Sequence, residues 1–263
     1  MRTLVMKFGG ASVATTEQFS DIADIILERR KLYDAIVVVV SAMGNTTDQL
    51  ISLAKQVNEN PPRREYDMLV SVGERISISL LAMALAKKDL RAVSFTGSQS
   101  GIITCDKHSD ARILEVKPHR LLPHLNAGCV VIVAGFQGVS KNGEITTLGR
   151  GGSDTSAVAL GVALSAEVVE FFKDVPGIFS ADPKLDQKAV LHKELSYEQM
   201  YKILEQGGKV LQKRSVCLAE RNQIPLHVLS FQEFKKGVKL GTFIGSSKER
   251  TNSTPQYEDN ANE

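Results

Sequence analysis

Two glycine-rich segments concentrate the residues able to do chemistry. In the first, Lys7-Phe-Gly-Gly10, a lysine and two glycines follow an apolar run. Glycines there let backbone N–H groups approach an anion closely, and the lysine adds a point charge beside them. The combination suits phosphate oxygens, although an ordinary tight turn after a strand has the same pattern. It is not the GxxxxGK[ST] of a Walker-type loop. The second segment, TLGRGGSDTSA at 147–157, is denser. Its glycine turn opens a helix that Ser153 or Asp154 is placed to cap, and the helix N-terminus offers a second anion site. Arg150 projects from that turn, where its planar fork could bind a carboxylate at two points. The plainer alternative is a capped helix with a solvated arginine.

Three weaker signals accompany these. Gly73-Glu74 interrupts a helical run, where glycine costs ~1 kcal/mol, so a close backbone approach or a helix break is expected. Glu74 could receive an ammonium group, but an exposed glutamate on a solvated face is the favoured reading of the sequence alone. The loop SAMGNTTD at 41–48 follows a buried strand and could hold a small polar substrate or simply cap a helix. The loop KDVPGIFSADPK at 173–184 mixes carboxylates, lysines and apolar residues, and could wrap a nucleotide or serve as a long connection.

These segments need a scaffold that brings strand ends together. The runs 3–8, 35–40, 130–134 and 168–172 read as strands, and 35–40 is apolar on both faces, as a central parallel strand is. Helical patterns over about 17–31, 49–57, 66–88, 197–205 and 209–221, and a helix fed by the glycine-rich turn at 149–154 and running to about 166, alternate with them. Late strands are expected at 225–229 and 242–244, and irregular hairpin structure over 98–116. Asn142-Gly143 signals a further hairpin. The class is therefore α/β: a three-layer α/β/α domain on an open, mainly parallel sheet.

Bulk properties narrow the function. With 32 basic against 30 acidic residues the net charge is only +2, and aromatics are 6% with no Trp, so neither nucleic acid nor a membrane surface is an expected partner. The apolar runs read as short and broken by charges, so no membrane span is expected. The N-terminus enters a strand pattern at once, leaving no room for a signal peptide. Cys105, Cys129 and Cys217 are widely separated, which suggests neither a disulfide framework nor a zinc site and fits a reducing, cytoplasmic compartment. The five histidines lack metal-ligand spacing, and no metal ligands are assigned.

Taken together, KFGGASV (7–13), VVSAMGNTTD (39–48), VGE (72–74), AGFQG (134–138), TTLGRGGSDTSA (146–157), KDVPGIFSADP (173–183), GGKVLQKRSV (207–216) and the GT of 241–242 resemble the catalytic domain of aspartokinases, in the amino-acid-kinase family. The resemblance covers about 1–245. It implies an amino-acid-kinase-like fold over 1–248, with a substrate lobe of about 1–165 and a nucleotide lobe of about 166–248. Residues 249–263 are read as a disordered tail from their polar composition. It further implies ATP and Mg2+ as cofactors and L-aspartate as substrate, phosphorylated on its side-chain carboxylate. Lys7, Gly9 and Gly10 would hold the transferring phosphoryl group, with Asp154 ordering the lysine and Ser41 near the phosphates. Arg150 would pair with the α-carboxylate and Glu74 with the α-ammonium, Thr47 and Ser153 completing the pocket. Asp174, Phe179, Lys184 and Lys209 would surround ATP.

The chain departs from the family pattern in places. Ala11 stands where Thr is usual, Lys173 replaces the Thr of the nucleotide loop, Phe172 and Phe179 stand where Trp or Tyr are common, and Gln212-Lys213 replaces His-Pro. No proposed catalytic charge is removed, so nucleotide affinity and preference are where consequences are expected. Aspartokinases usually continue into paired ACT domains beyond this point. The expectation is a chain that lysine and threonine do not inhibit by itself, with a separate regulatory subunit possible and a homodimer or larger homo-oligomer as the usual family assembly.

Overall fold

The computed structural model describes residues 1–181, 183, 186, 188–245 and 254–258. In chain order its elements are β1 (Thr3–Phe8), α1 (Thr16–Arg29), β2 (Ala35–Val40), α2 (Thr46–Val57), α3 (Arg63–Val70), α4 (Val72–Ala86) and β3 (Ala92–Phe95). Then come β4 (Ile102–Thr104), β5 (Ile113–Val116), α5 (Leu122–Asn126), β6 (Val130–Ala134), β7 (Gln137–Ser140), β8 (Ile145–Thr147) and α6 (Gly152–Ala163). The chain continues through β9 (Val168–Lys173), β10 (Glu194–Leu195), α7 (Tyr197–Glu205), α8 (Lys213–Arg221), β11 (Leu226–Ser230), α9 (Phe231–Lys235) and β12 (Gly241–Ile244).

Among the described residues these strands form an eight-stranded sheet, in the order β10-β12-β11-β9-β1-β2-β6-β3, and a four-stranded sheet, β5-β4-β7-β8. From β11 to β3 the larger sheet is parallel, and β12 runs against β11. The strands of its centre are buried along their whole length because both faces are covered, as parallel sheets require. The period-two alternation then sorts side chains between two cores. Leu4, Met6, Phe8, Ile36, Val38 and Val40 pack with α1, α4 and α9. Val5, Val37, Val39, Val131 and Phe171 pack on the other face with α6, α7 and α8. This is the expected three-layer α/β/α arrangement.

The register decides where chemistry can occur. Phe8 pairs with Val40 and with Phe172, and Val40 pairs with Ala134, so β1, β2, β6 and β9 end level with one another. Their following loops therefore open on one crevice at the carboxyl edge of the sheet, where open α/β sheets bind ligands. Phe8 and Phe172 stack at 4.6 Å between ring centroids, locking the ends of β1 and β9 together. Such a pair is worth ~1 kcal/mol beyond its buried area. The smaller sheet carries the β7–β8 hairpin at the Asn142-Gly143 signal and delivers Thr147 to the turn before α6.

Several expectations need correction. The single helix over 66–88 is two, α3 and α4, broken at Ser71. There Ser71 Oγ donates to the Met68 carbonyl, and Gln137 Nε2 donates to the Ser71 carbonyl at 2.8 Å. Residues 63–86 are, contrary to the sequence reading, long and apolar enough by length and composition to cross a membrane. The most apolar 18-residue window of the stretch is 44% buried inside the domain, and Asp67 and Glu74 of the stretch are buried and hydrogen-bonded. The helix expected over 209–221 starts only at Lys213. Nor is all of 249–263 detached: Glu258 N donates to the Ile113 carbonyl, and its carboxylate meets Arg214 Nε at 2.7 Å. Tyr257 packs against the core beside it. Composition hides such docking because one ring and one paired charge suffice to anchor a polar segment.

Candidate active site

Lys7 ends the chemistry of β1 one residue before the strand stops, and it is 6% exposed. Its ammonium lies 2.7 Å from Asp154 Oδ1. It also curls over Gly9, where an added Cβ would stand 3.6 Å from Lys7 Nζ. Asp154 sits in the first turn of α6. Neither it nor Ser153 caps that helix: the N-cap is Gly151, whose φ of 75° lies in the left-handed region glycine tolerates. The carboxylate is thereby free to turn inward, and its second oxygen accepts a hydrogen bond from Lys173 Nζ at 2.8 Å. Burial pushes the Asp154 carboxyl up, but Lys7 and Lys173 outweigh it and hold the group below its ordinary value. Burial, and then the proximity of Lys7, depress Lys173 against the opposing pull of Asp154. Two ammonium groups thus share one buried carboxylate, leaving a net positive charge at the strand ends.

The loops after β1 and β2 are fastened to each other. Ser41 N donates to the Phe8 carbonyl, and Gly44 N to the Gly10 carbonyl at 3.2 Å. A Cβ at Gly10 would stand 3.2 Å from the Ala42 carbonyl oxygen, a tight fit that glycine avoids. Gly73 performs the same service for α4, because its Cβ would meet that of Ala42 at 2.7 Å. The expected close backbone approach is therefore real. It sets Glu74 against the loop, where Glu74 Oε1 accepts from Ala42 N at 3.0 Å. The exposed glutamate favoured from sequence is in fact 3% exposed, and its Oε2 has no hydrogen-bond partner among the described residues. Burial pushes its pKa to about 7, against the smaller opposing pulls of the Ala42 N–H and Lys7. A buried acceptor without a donor is costly unless a ligand supplies one. Ser41 and Thr47 flank this loop, both half-buried.

Asp67 was not singled out by sequence reasoning. It is completely buried and anchors the turn before α6, accepting from Thr147 Oγ1 at 2.7 Å and from Thr147 N and Ser109 N at 3.0 Å. Beyond Thr147, Arg150 is exposed and has no hydrogen bond or ion pair among the described residues. The structure therefore leaves its guanidinium available but does not join it to the Lys7 cluster. Ser153 is 7% exposed and packs on Gly135, where a Cβ would meet Ser153 Oγ at 2.9 Å. The Gly151 turn also lies against Gln212, tying the start of α8 to this loop.

A cleft of about 840 Å³ opens from Lys173, a size usual for small-molecule sites. One wall is the loop after β9, with Asp174, Gly177 and Phe179, and the other is Gly208-Lys209-Val210. The structure thus gathers Asp174, Phe179 and Lys209, while Lys184 lies outside the described residues. Ile178 N donates to Thr242 Oγ1 at 2.8 Å, which pins the loop to the GT pair at the start of β12. The role of the 173–184 loop as a cavity wall could not be separated from a plain connection by sequence. Lys173 itself was noted there only as a departure. A second cavity of about 390 Å³, lined by Ile103, Glu115, Lys141 and Tyr257, lies at the smaller sheet, away from these charges.

The model of the amino acid kinase family matches residues 2–230. An aspartokinase of Geobacillus stearothermophilus is 48% identical over 240 residues, covering 91% of this chain and 59% of that protein. The chain thus spans about three-fifths of the length of the curated relatives it matches. Among solved structures, an aspartate kinase from Synechocystis is 44% identical with a TM-score of 0.83, over 95% of this chain and 41% of that one. E. coli aspartokinase III in complex with aspartate and ADP is 28% identical with a TM-score of 0.81, over 94% of this chain and 65% of that one.

Proposed function

The chain belongs to the amino acid kinase family, and from that premise we propose that it transfers the γ-phosphoryl group of ATP to the side-chain carboxylate of L-aspartate. The observation that carries this reading is the Lys7–Asp154–Lys173 cluster, set between an unpartnered buried Glu74 and a nucleotide-sized cleft. The relative whose structure holds aspartate and ADP supports the choice of ligands.

The side-chain carboxyl of aspartate has a pKa near ~4 and is ionised at neutral pH, so the nucleophile needs no base. Catalysis then reduces to alignment and charge stabilisation. Lys7, with the N–H groups of Gly9 and Gly10, meets the phosphoryl group as its equatorial charge develops. Asp154 keeps Lys7 aimed. Glu74 takes the α-ammonium with its free oxygen, and Arg150 takes the α-carboxylate at two points. Thr47 and Ser153 close the pocket, and Ser41 lies beside the phosphates. Phe179 covers the base, and Lys209 meets the nucleotide phosphates, with Lys184 assigned the same task. Magnesium bound with the nucleotide would supply charge neutralisation at the phosphates. Among the described residues Asp154 is already committed to two lysines, so Asp174 on the cleft rim would be the carboxylate to face that ion.

The same proposal divides the chain into a substrate lobe of about 1–165 and a nucleotide lobe of about 166–248. It also includes assembly as a homo-oligomer and a cytoplasmic location, the latter supported by three free thiols. The test is a coupled ADP-release assay with ATP and Mg2+ on L-aspartate, D-aspartate, L-glutamate and N-acetylglutamate. Turnover with L-aspartate alone is expected. Preference for L-glutamate would reassign the substrate, and nucleotide binding without turnover on any of them would overturn the enzyme reading.

A further inference from the structure

We propose that Lys173 is a second phosphate-contacting cation of this site, meeting the terminal phosphate of the nucleotide together with Lys7. The inference rests on the kinase reading above. Resemblance assigned Lys173 no role and gave a neutral Thr as the usual occupant of its position.

Placement comes first. Lys173 is the last residue of β9, next to β1, with Phe172 level with Phe8. Val5 and Phe171 belong to the core on the α6 face, so Lys7 and Lys173, two residues further along each strand, project to that same face. Both ammonium groups therefore reach Asp154 from adjacent strands, at 2.7 and 2.8 Å. Lys173 alone of the two also lines the 840 Å³ cleft, with its side chain 16% exposed. It is the point where cleft and charge cluster meet.

Donor capacity and charge then argue against a purely structural lysine. An ammonium has three donors, and the hydrogen-bond partner of Lys173 among the described residues is Asp154. Asp154 already had a cation in Lys7, so a second one beside it adds desolvation and like-charge repulsion. The depressed pKa of Lys173 reflects those two costs. The arrangement is balanced when an anion enters from the cleft side. In the transfer, the bond from the γ-phosphorus to the β–γ bridging oxygen breaks and one to the acceptor carboxylate oxygen forms, giving ADP and an acyl phosphate. Lys173 gives up no proton in this step; it neutralises charge on the oxygens that pass from one partner to the other.

The experiment compares ATP, ADP and AMP binding with Mg2+ by calorimetry, alongside steady-state turnover, in the full chain and in Lys173→Thr and Lys173→Gln. Both variants are expected to weaken ATP about tenfold or more while changing AMP less than about twofold, and to lower kcat by at least about tenfold. Lys173→Arg should recover part of the ATP preference. Equal weakening of ATP and AMP, or unchanged kcat in both variants, would overturn the assignment of Lys173 alone. A wild-type chain that binds ATP and phosphorylates an acceptor keeps the underlying reading in either case. A wild-type chain that binds no ATP removes both.

Discussion

Substituting Glu74 by Gln separates two effects of one buried carboxyl. Glu74 has its pKa pushed to about 7, chiefly by burial, and one of its oxygens lacks a donor. If the carboxylate form receives the α-ammonium, the apparent affinity for the amino acid is divided by 1 + 10^(7 − pH). That factor is about 1.1 at pH 8, about 2 at pH 7 and about 11 at pH 6. The KM for L-aspartate should therefore rise about tenfold between pH 8 and pH 6, while the KM for ATP stays level. In Glu74→Gln the aspartate KM should be raised at every pH, by about tenfold or more, and no longer vary with it. The Ala42 N–H keeps its acceptor, so the loop should stay in place. The unliganded variant should also be more stable at pH 8. The folded pKa lies above the ordinary value of 4.5, so the folded state binds the proton more tightly. This group's contribution to stability therefore falls as pH rises from about 4.5 to about 7, by roughly 3 kcal/mol at most. Steady-state kinetics in ADP-release format and thermal unfolding at pH 5 and pH 8 measure both effects. A flat aspartate KM from pH 8 to pH 6, or a Gln variant that keeps the wild-type slope, refutes the reasoning.

Other perturbations follow from the same geometry. Lys7→Ala should lower kcat by at least ~10²-fold, the usual loss for one preorganised charge contact, and near-normal turnover would refute its role. Arg150→Ala should raise the KM for aspartate ~10²-fold with little change for ATP, which substrate saturation curves would register. Gly73→Ala forces Ala42 aside from a 2.7 Å Cβ contact and should cost about 1–3 kcal/mol in chemical denaturation while raising the aspartate KM. Because Lys173 is depressed by burial and by Lys7, its charge is lost as pH rises through a value below that of an ordinary lysine. The alkaline limb of the kcat profile should therefore start early, and move upward in Lys173→Arg.

The frame of the molecule was readable where burial left one solution. Thr3–Phe8, Ala35–Val40 and Val130–Ala134 are apolar enough to be covered on both faces, and their bounds match the sequence reading. A helix break near Gly73 was one of two readings, but its place at Ser71 was not readable, because the group that donates to the Ser71 carbonyl, Gln137, comes from β7. Glu74 was misread for a related reason. On α4 the apolar Ile78, Leu81 and Leu85 are buried as usual, but Val72 and Ile76 face outward in the first turns while Glu74 and Ser77 are buried, so the polar-outside pattern fails there. Lys7, Asp154 and Arg150 announced themselves by residue type beside glycines. Asp67 and Lys173 did not, since their roles come from partners 80 and 19 residues away. Ordinary charged residues acquire meaning there only through the strand order that brings those partners close.

Arg214, near the start of α8, joins segments that are far apart along the chain. Besides both oxygens of Glu258, it donates to the carbonyls of Leu148 and Ala111, at 2.6 and 2.8 Å. Leu148 is two residues from Arg150, so Glu258 and the turn before α6 are mechanically continuous. A pull on the 254–258 segment is thereby transmitted through one guanidinium to the turn that carries Arg150.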